Sequence, residues 1–236
     1  MAGYLLSERD MGRVSRVVRR VEGQVDSLGT TGGDSRLMIP QPVSITFYNP
    51  TSETIPAGGI MAITGAALAD KIPYLTISKP SATFVRSYAV NGDLPVEKEK
   101  FGQCYTSGWV RFAYDTGTPA NGDCYGAKPS QWTASANYPA ILDCFGILDS
   151  TDKIALGYLH PIDHIIGKLA GALGEGNYAT VNVWCGAGNS EAVITSMTVT
   201  AYDWLMKSGA TDIASGKKVV VDWINGVPYV TEAECP

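Results

Sequence analysis

Histidine is nearly missing from this 236-residue chain: His160 and His164 are the whole supply. That scarcity counts against most metal centres and most general-base chemistry at neutral pH, since imidazole is both the commonest metal ligand and the side chain that titrates there. Charged residues are also sparse, at 17%, and no apolar run reaches the roughly 18 to 20 residues that cross a bilayer as a helix. The N-terminus, MAGYLLSERD, meets charge too soon for a secretory leader. A soluble chain with no leader and no membrane partner is the expectation. Five cysteines (Cys104, Cys124, Cys144, Cys185 and Cys235) form an odd set without C-x-x-C spacing. They read as mostly buried, reduced thiols rather than a disulfide framework or a zinc cage.

Catalytic signatures are missing as well. There is no G-x-S-x-G elbow, no G-x-x-x-x-G-K-[ST] loop and no H-E-x-x-H, and the Gly-rich stretches GALGEG and GAGNS lack nucleotide-loop spacing. His160, Asp163 and His164 could be drawn as a metal cluster in HPIDH, but Pro161 opposes the helix that would align both rings, and structural histidines at a junction fit better. Asp115 and Asp123 flank the loop DTGTPANGD, where Asp commonly bonds its own backbone two residues on. These readings lead to a protein with no cofactor, no bound metal and no catalytic residue, and so not an enzyme.

What is present begins with an arm. Ser7 and Asp10 resemble a capping box, and Met11, Val14, Val18, Val21, Val25 and Leu28 then alternate by three and four. That spacing is a heptad with Arg13, Arg16, Arg19 and Arg20 outside it. β-Branched residues at the second seam position lean toward three strands, while Gly12 and Gly23 each cost about 1 kcal/mol relative to Ala. Three uses fit such an arm: packing on its own domain, joining or docking subunits, and touching phosphates. Arg9, Arg13, Arg16, Arg19 and Arg20 against Asp10 give residues 9–20 a charge of +4, leaving −9 on the rest of the chain, which repels polyanions. The Arg face also lacks interleaved aromatics, so nucleic acid is not an expected partner. GTTGGDS then reads as a flexible linker.

From Ile39 the pattern becomes short β-branched or alternating runs ended by Pro, Gly, Asn or Asp, among them residues 43–48, 59–63, 74–77, 83–90, 109–114 and 140–148. The run IALGYLHPIDHIIGKLAGALGEG, beginning at Ile154, contains Pro161 and a Gly cluster and reads as a junction. Runs at 178–185, 192–202, 217–224 and 227–231 follow, the last two joined by Asn225-Gly226, the strongest hairpin signal in the chain. The expected fold is mainly β: an N-terminal helical arm and linker (1–36), then two antiparallel β-sandwich or barrel modules (37–163 and 164–236). Trp109, Trp132, Trp184, Trp204 and Trp223 could build a sugar-stacking platform, though in β proteins such rings more often form core or subunit contacts.

The pieces LLSERDMGRVSRVVRRVEG, IPAGGIMAITG, GTPANGDCYG and TAYDWLMKSGATDIASGKKVVVDWINGVPYVTEAEC together resemble virion structural proteins of tailed bacteriophages, of the decoration (cement), head-fibre or tail-adaptor kind. The resemblance implies a homo-oligomer, with a trimer expected, that is assembled in the host cytoplasm and resident in the virion. It implies docking to the major capsid protein or to a tail or connector protein through the arm, with the β modules facing outward. It transfers no site residue. A carbohydrate-binding receptor module and a tail adaptor or fibre are the alternatives.

Overall fold

The computed structural model describes residues 44–185, 192–205 and 211–234, so the arm and linker, with Met11, Val14, Val18, Val21, Val25, Leu28, Arg13, Arg16, Arg19 and Arg20, lie outside the described residues. Among the described residues the chain is mainly β and contains no helix. The first five strands are β1 (Ile45–Tyr48), β2 (Ile60–Ala69), β3 (Ile72–Ser78), β4 (Tyr88–Asn91) and β5 (Phe101–Tyr105). They close into a barrel in the order β1-β3-β2-β4-β5. Strands β6 (Gly108–Ala113), β7 (Cys124–Ala127), β8 (Ala134–Ser135), β9 (Leu142–Asp149) and β10 (Ile154–Leu159) form a five-stranded sheet, β6-β10-β9-β7-β8. A second closed barrel, β11-β12-β13-β15-β14, uses β11 (His164–Leu169), β12 (Tyr178–Cys185), β13 (Ala192–Asp203), β14 (Lys218–Ile224) and β15 (Val227–Ala233).

The stretch 37–163 holds two sheets. One feature differs from the sequence expectation: neither barrel is antiparallel throughout, because β1 runs parallel to β3 and β13 parallel to β15. Local alternation reports which face a residue takes, not which strand it meets.

The pairings make the three sheets versions of one unit. Around the first barrel, β1 meets β3 in parallel and every other contact is antiparallel. The middle sheet repeats this with β6 to β10 in the same chain order; where closure would fall, a single parallel bridge links Tyr114 to Ala134. In the last barrel the same cycle holds, but β11 and β12 take the places of β4 and β5, and β13, β14 and β15 those of β1, β2 and β3. The third unit is thus a circular permutation of the first.

A five-residue approach also recurs. Ile55 and Val96 bridge each other, and each is followed five residues later by a strand, β2 and β5; Leu173 and Ile213 do the same ahead of β12 and β14. In between, the chain turns through a residue in the left-handed region: Gly58 (φ 66°), Glu99 (57°), Gly176 (65°) and Gly216 (82°). The turn before β7 is of the same kind, with Gly122 at φ 90°. Glycine suits four of these five positions because it takes positive φ without a Cβ clash.

Phe47, Met61, Ile77, Ala89 and Cys104 fill the first barrel, each at most 2% exposed. A second cluster runs continuously through all three units, from Ile60 and Val90 past Phe112 and Leu142 to Val181 and Val221. β4 is buried on both faces because it serves both clusters. Two glycines make room for phenylalanine on corresponding strands: a Cβ on Gly102 of β5 would come within 2.7 Å of the Phe47 ring, and one on Gly157 of β10 within 2.7 Å of the Phe112 ring.

Candidate functional surface

The residues singled out for chemistry do not converge. His160 Nε2 lies 2.7 Å from Asp143 Oδ2, Asp163 stands 4.0 Å from Arg86, and His164 is exposed on β11, opposite Asp222 of β14. Among the described residues no three His, Cys, Asp or Glu side chains gather as a metal cage. Asp115 accepts from Lys128 Nζ at 2.8 Å and from the Thr116 amide at 2.6 Å, while Asp123 accepts from the Ala120 amide at 2.8 Å, tying its own turn together. Partial burial pushes the Asp115 carboxyl up, but Lys128 and the Thr116 amide outweigh it and hold the group below the usual carboxylate range. Cys104 and Cys144 are buried, free thiols, and burial pushes Cys104 up to about 12, a poor nucleophile. Cys124 is half-buried, its Sγ 3.7 Å from Asp143 Oδ1.

The five tryptophans separate by environment. Trp132 is buried, its Nε1 3.2 Å from Glu53 and its face under Lys79. Glu53 is held below its ordinary range by the Lys79 ammonium and the Trp132 donor. Trp184 lies under Lys218, Trp223 packs near Phe84, and Trp109 packs on Phe145 at 4.6 Å. Trp204 is different, being 59% exposed and in contact only with Tyr229 among the ring pairs of the described residues.

Trp204 stands at the end of an outward row on the third unit. In register across neighbouring strands stand His164 (β11), Asp222 (β14), Tyr229 (β15), Tyr202 (β13) and Tyr178 (β12). Alternation explains the shared face: Ile165, Val221, Val230, Ala201 and Ala179, the next residue along each strand, point into the barrel and are buried. The Tyr178–Tyr202 and Tyr202–Tyr229 centroids are 5.8 and 5.9 Å apart, and Tyr178 is 66% exposed. Asp222 accepts a short hydrogen bond from the Thr231 hydroxyl. The first barrel carries Tyr48, Phe101 and Tyr74 at the corresponding place, beside its parallel seam. Each seam has only two register pairs. Ring contacts cross the parallel seam in both trios, Tyr48 to Tyr74 and Tyr202 to Tyr229, and the third unit adds Trp204.

Sequence reading named Trp204 only as one of five, because nothing local distinguishes an outward tryptophan from a core one. The tyrosine row depends on strand register across three strands and has no signal in any single run. No known protein family, curated protein or solved structure matches the chain.

Proposed function

We propose that this chain is a non-catalytic structural protein of a phage virion, a homo-oligomeric decoration or cement protein that binds the shell and raises the free energy needed to open it. Any ligand of the assembled state stabilises that state in this way. The observation that carries the reading is apolar surface on every unit: Leu68 and Leu94 on the first, Phe145 and Leu148 on the second, and Ile166 and Trp204 on the third are exposed. Exposed apolar side chains that stand together, as Leu68 and Ile72 do on one hairpin and Tyr202 and Trp204 do beside Tyr229, suit a surface covered by neighbours. The test is light scattering on the full chain under reducing conditions, beside a version lacking residues 1–36. An oligomer that becomes a monomer on truncation supports the arm as the oligomerising element, the same oligomer in both places the contacts in the β units, and a monomer in both overturns the self-assembling reading. Antibody labelling of intact particles from the source then distinguishes shell from tail.

A second reading is favoured by one observation, the Tyr178–Tyr202–Tyr229–Trp204 row with Asp222 and His164 beside it. Aromatic faces stack on the C–H faces of sugars, while a carboxylate and an imidazole accept or donate to hydroxyls. Quenching of tryptophan emission by neutral oligosaccharides, lost in Trp204→Ala, supports a glycan-binding receptor module; emission unchanged by such sugars removes it.

A further inference from the structure

The β2–β3 hairpin outgrows its barrel. On its outer side β2 pairs with β4 only over Ile60–Ala62, with one further bond from the Ile63 amide to Ser87, whereas its ladder with β3 continues to Ala69 and Ile72. The distal part is a two-stranded ribbon, GAALADKIPYL, whose only charged residues are Asp70 and Lys71 at the turn. Cross-strand partners share a face, so Ala66, Leu68, Pro73 and Leu75 lie on one side and Ala67, Ala69, Ile72 and Tyr74 on the other. Both sides are apolar. Leu68 is 71% exposed and Ile72 61%. The corresponding hairpin of the third unit, β14–β15, projects far less, because β11 pairs with β14 from Lys218 to Asp222.

The two edges of this ribbon are treated differently. In a two-residue hairpin the pair flanking the turn, Ala69 and Ile72, exchanges hydrogen bonds, so Leu68 with Pro73 and Ala66 with Leu75 are the non-bonded pairs whose backbone groups face outward. On β3 the outward position is Pro73, which has no N–H, and Leu75 is already opposite Phe47 of β1. That edge is blocked in the way natural sheets block theirs. On β2 the outward groups are those of Ala66 and Leu68, and no strand among the described residues covers them.

We infer that the open edge of β2, from Gly65 to Ala69, is an interaction surface for a second copy of this chain, joined edge to edge about a two-fold axis at Ala67. An antiparallel edge is its own complement. With Ala67 on the axis, Ala66 of each copy exchanges both its hydrogen bonds with Leu68 of the other, four bonds in all, and each large Leu68 stands opposite a small Ala66. No charge on the ribbon sides opposes the approach, and the two hairpins become one four-stranded sheet. This contact rests on the self-assembling reading and specifies one of its surfaces.

The experiment is sedimentation equilibrium on the full chain across a concentration series, with Ala66→Pro and Leu68→Asp variants checked for native circular dichroism. Proline at Ala66 removes an outward N–H and leaves the bonds between β2 and β3 in place. The expected result is a wild-type mass that is an even multiple of the monomer, halved in Ala66→Pro, with a dissociation constant weakened by about 10- to 100-fold for two lost bonds. Concentration-dependent slowing of amide exchange at Ala66 and Leu68 in the wild type gives an independent readout if a variant does not fold. A wild-type mass that is an odd multiple, an Ala66→Pro chain that associates as tightly as the wild type, or exchange that ignores concentration overturns the inference. An odd oligomer indifferent to Ala66→Pro keeps the assembly reading while removing this contact.

Discussion

Two hairpins occupy the same place in the same barrel topology and have become different objects. β14–β15 turns through Asn225 and Gly226, at φ 52° and 82°, and is held by β11 from Lys218 to Asp222. β2–β3 turns through Asp70 and Lys71, at φ 49° and 69°, and among the described residues its outer half on the β2 side has no neighbouring strand. Lysine in the left-handed region costs roughly 1 kcal/mol that glycine avoids. One hairpin therefore combines a relaxed turn with a supported ladder, and the other a strained turn with an unsupported apolar ribbon. A shared connectivity sets where a strand runs, but the neighbour it acquires decides whether its surface becomes core or contact.

The most forceful way to test that equivalence is to empty matching core positions. Phe47→Ala and Phe112→Ala each remove a fully buried ring, and each should cost about 3–5 kcal/mol by denaturant unfolding. If one costs nearly nothing, the two units do not share a packing plan. Next in size, Gly102→Val and Gly157→Val drive a side chain into the facing phenylalanine and should each destabilise by about 1–3 kcal/mol. A smaller effect sharpens the hairpin contrast: Lys71→Gly should raise stability by up to about 1 kcal/mol, while Asn225→Gly stays within a few tenths, both read from thermal melts. The smallest effect is electrostatic. The folded pKa of Asp115 lies below its unfolded value, so its contribution is present above the ordinary carboxylate range and is lost as pH falls through the folded value. Lys128→Ala should flatten that part of the pH–stability curve.

Much of the strand content was legible because burial on one face imposes alternation, as in the 218–224 and 227–233 segments. Asn225-Gly226 was legible because a type I′ turn leaves few residues to choose from. In the segment from Ile154 the sequence points to a junction, yet the segment contains β10 and β11 on either side of His160–Asp163. Pro161 and the glycines marked a real break but masked the strands around it. β5 and β7 were also missed: FGQCY and CYGA are short, and each carries a glycine where a neighbouring backbone or ring comes close. The threefold repetition is hard to see in the sequence because its copies share only scattered residues, such as the turn glycines and the Phe47–Gly102 and Phe112–Gly157 pairs, and because the third copy starts at a different strand. Even so, the fragments IPAGGIMAITG and GTPANGDCYG and the segment ASGKK contain the left-handed turns at Gly58, Gly122 and Gly216. The aromatic row and the open β2 edge are facts of register and of absent neighbours, and neither is written in any one segment.

The permutation also divides the units by the order in which they can assemble and by how they bear load. β11, β12 and β13 form a meander whose successive strands pair with each other, so the third unit can nucleate from local contacts. β1 pairs with β3 and β5 but not with β2, its successor in the chain. Its partners come only after β2 and β4 in the chain, so its pairing closes longer loops than those of the β11–β13 meander. Once docked it is held on both sides, so tension applied along its axis from the N-terminal direction must shear the bonds to β3 and β5 together instead of unzipping them one by one.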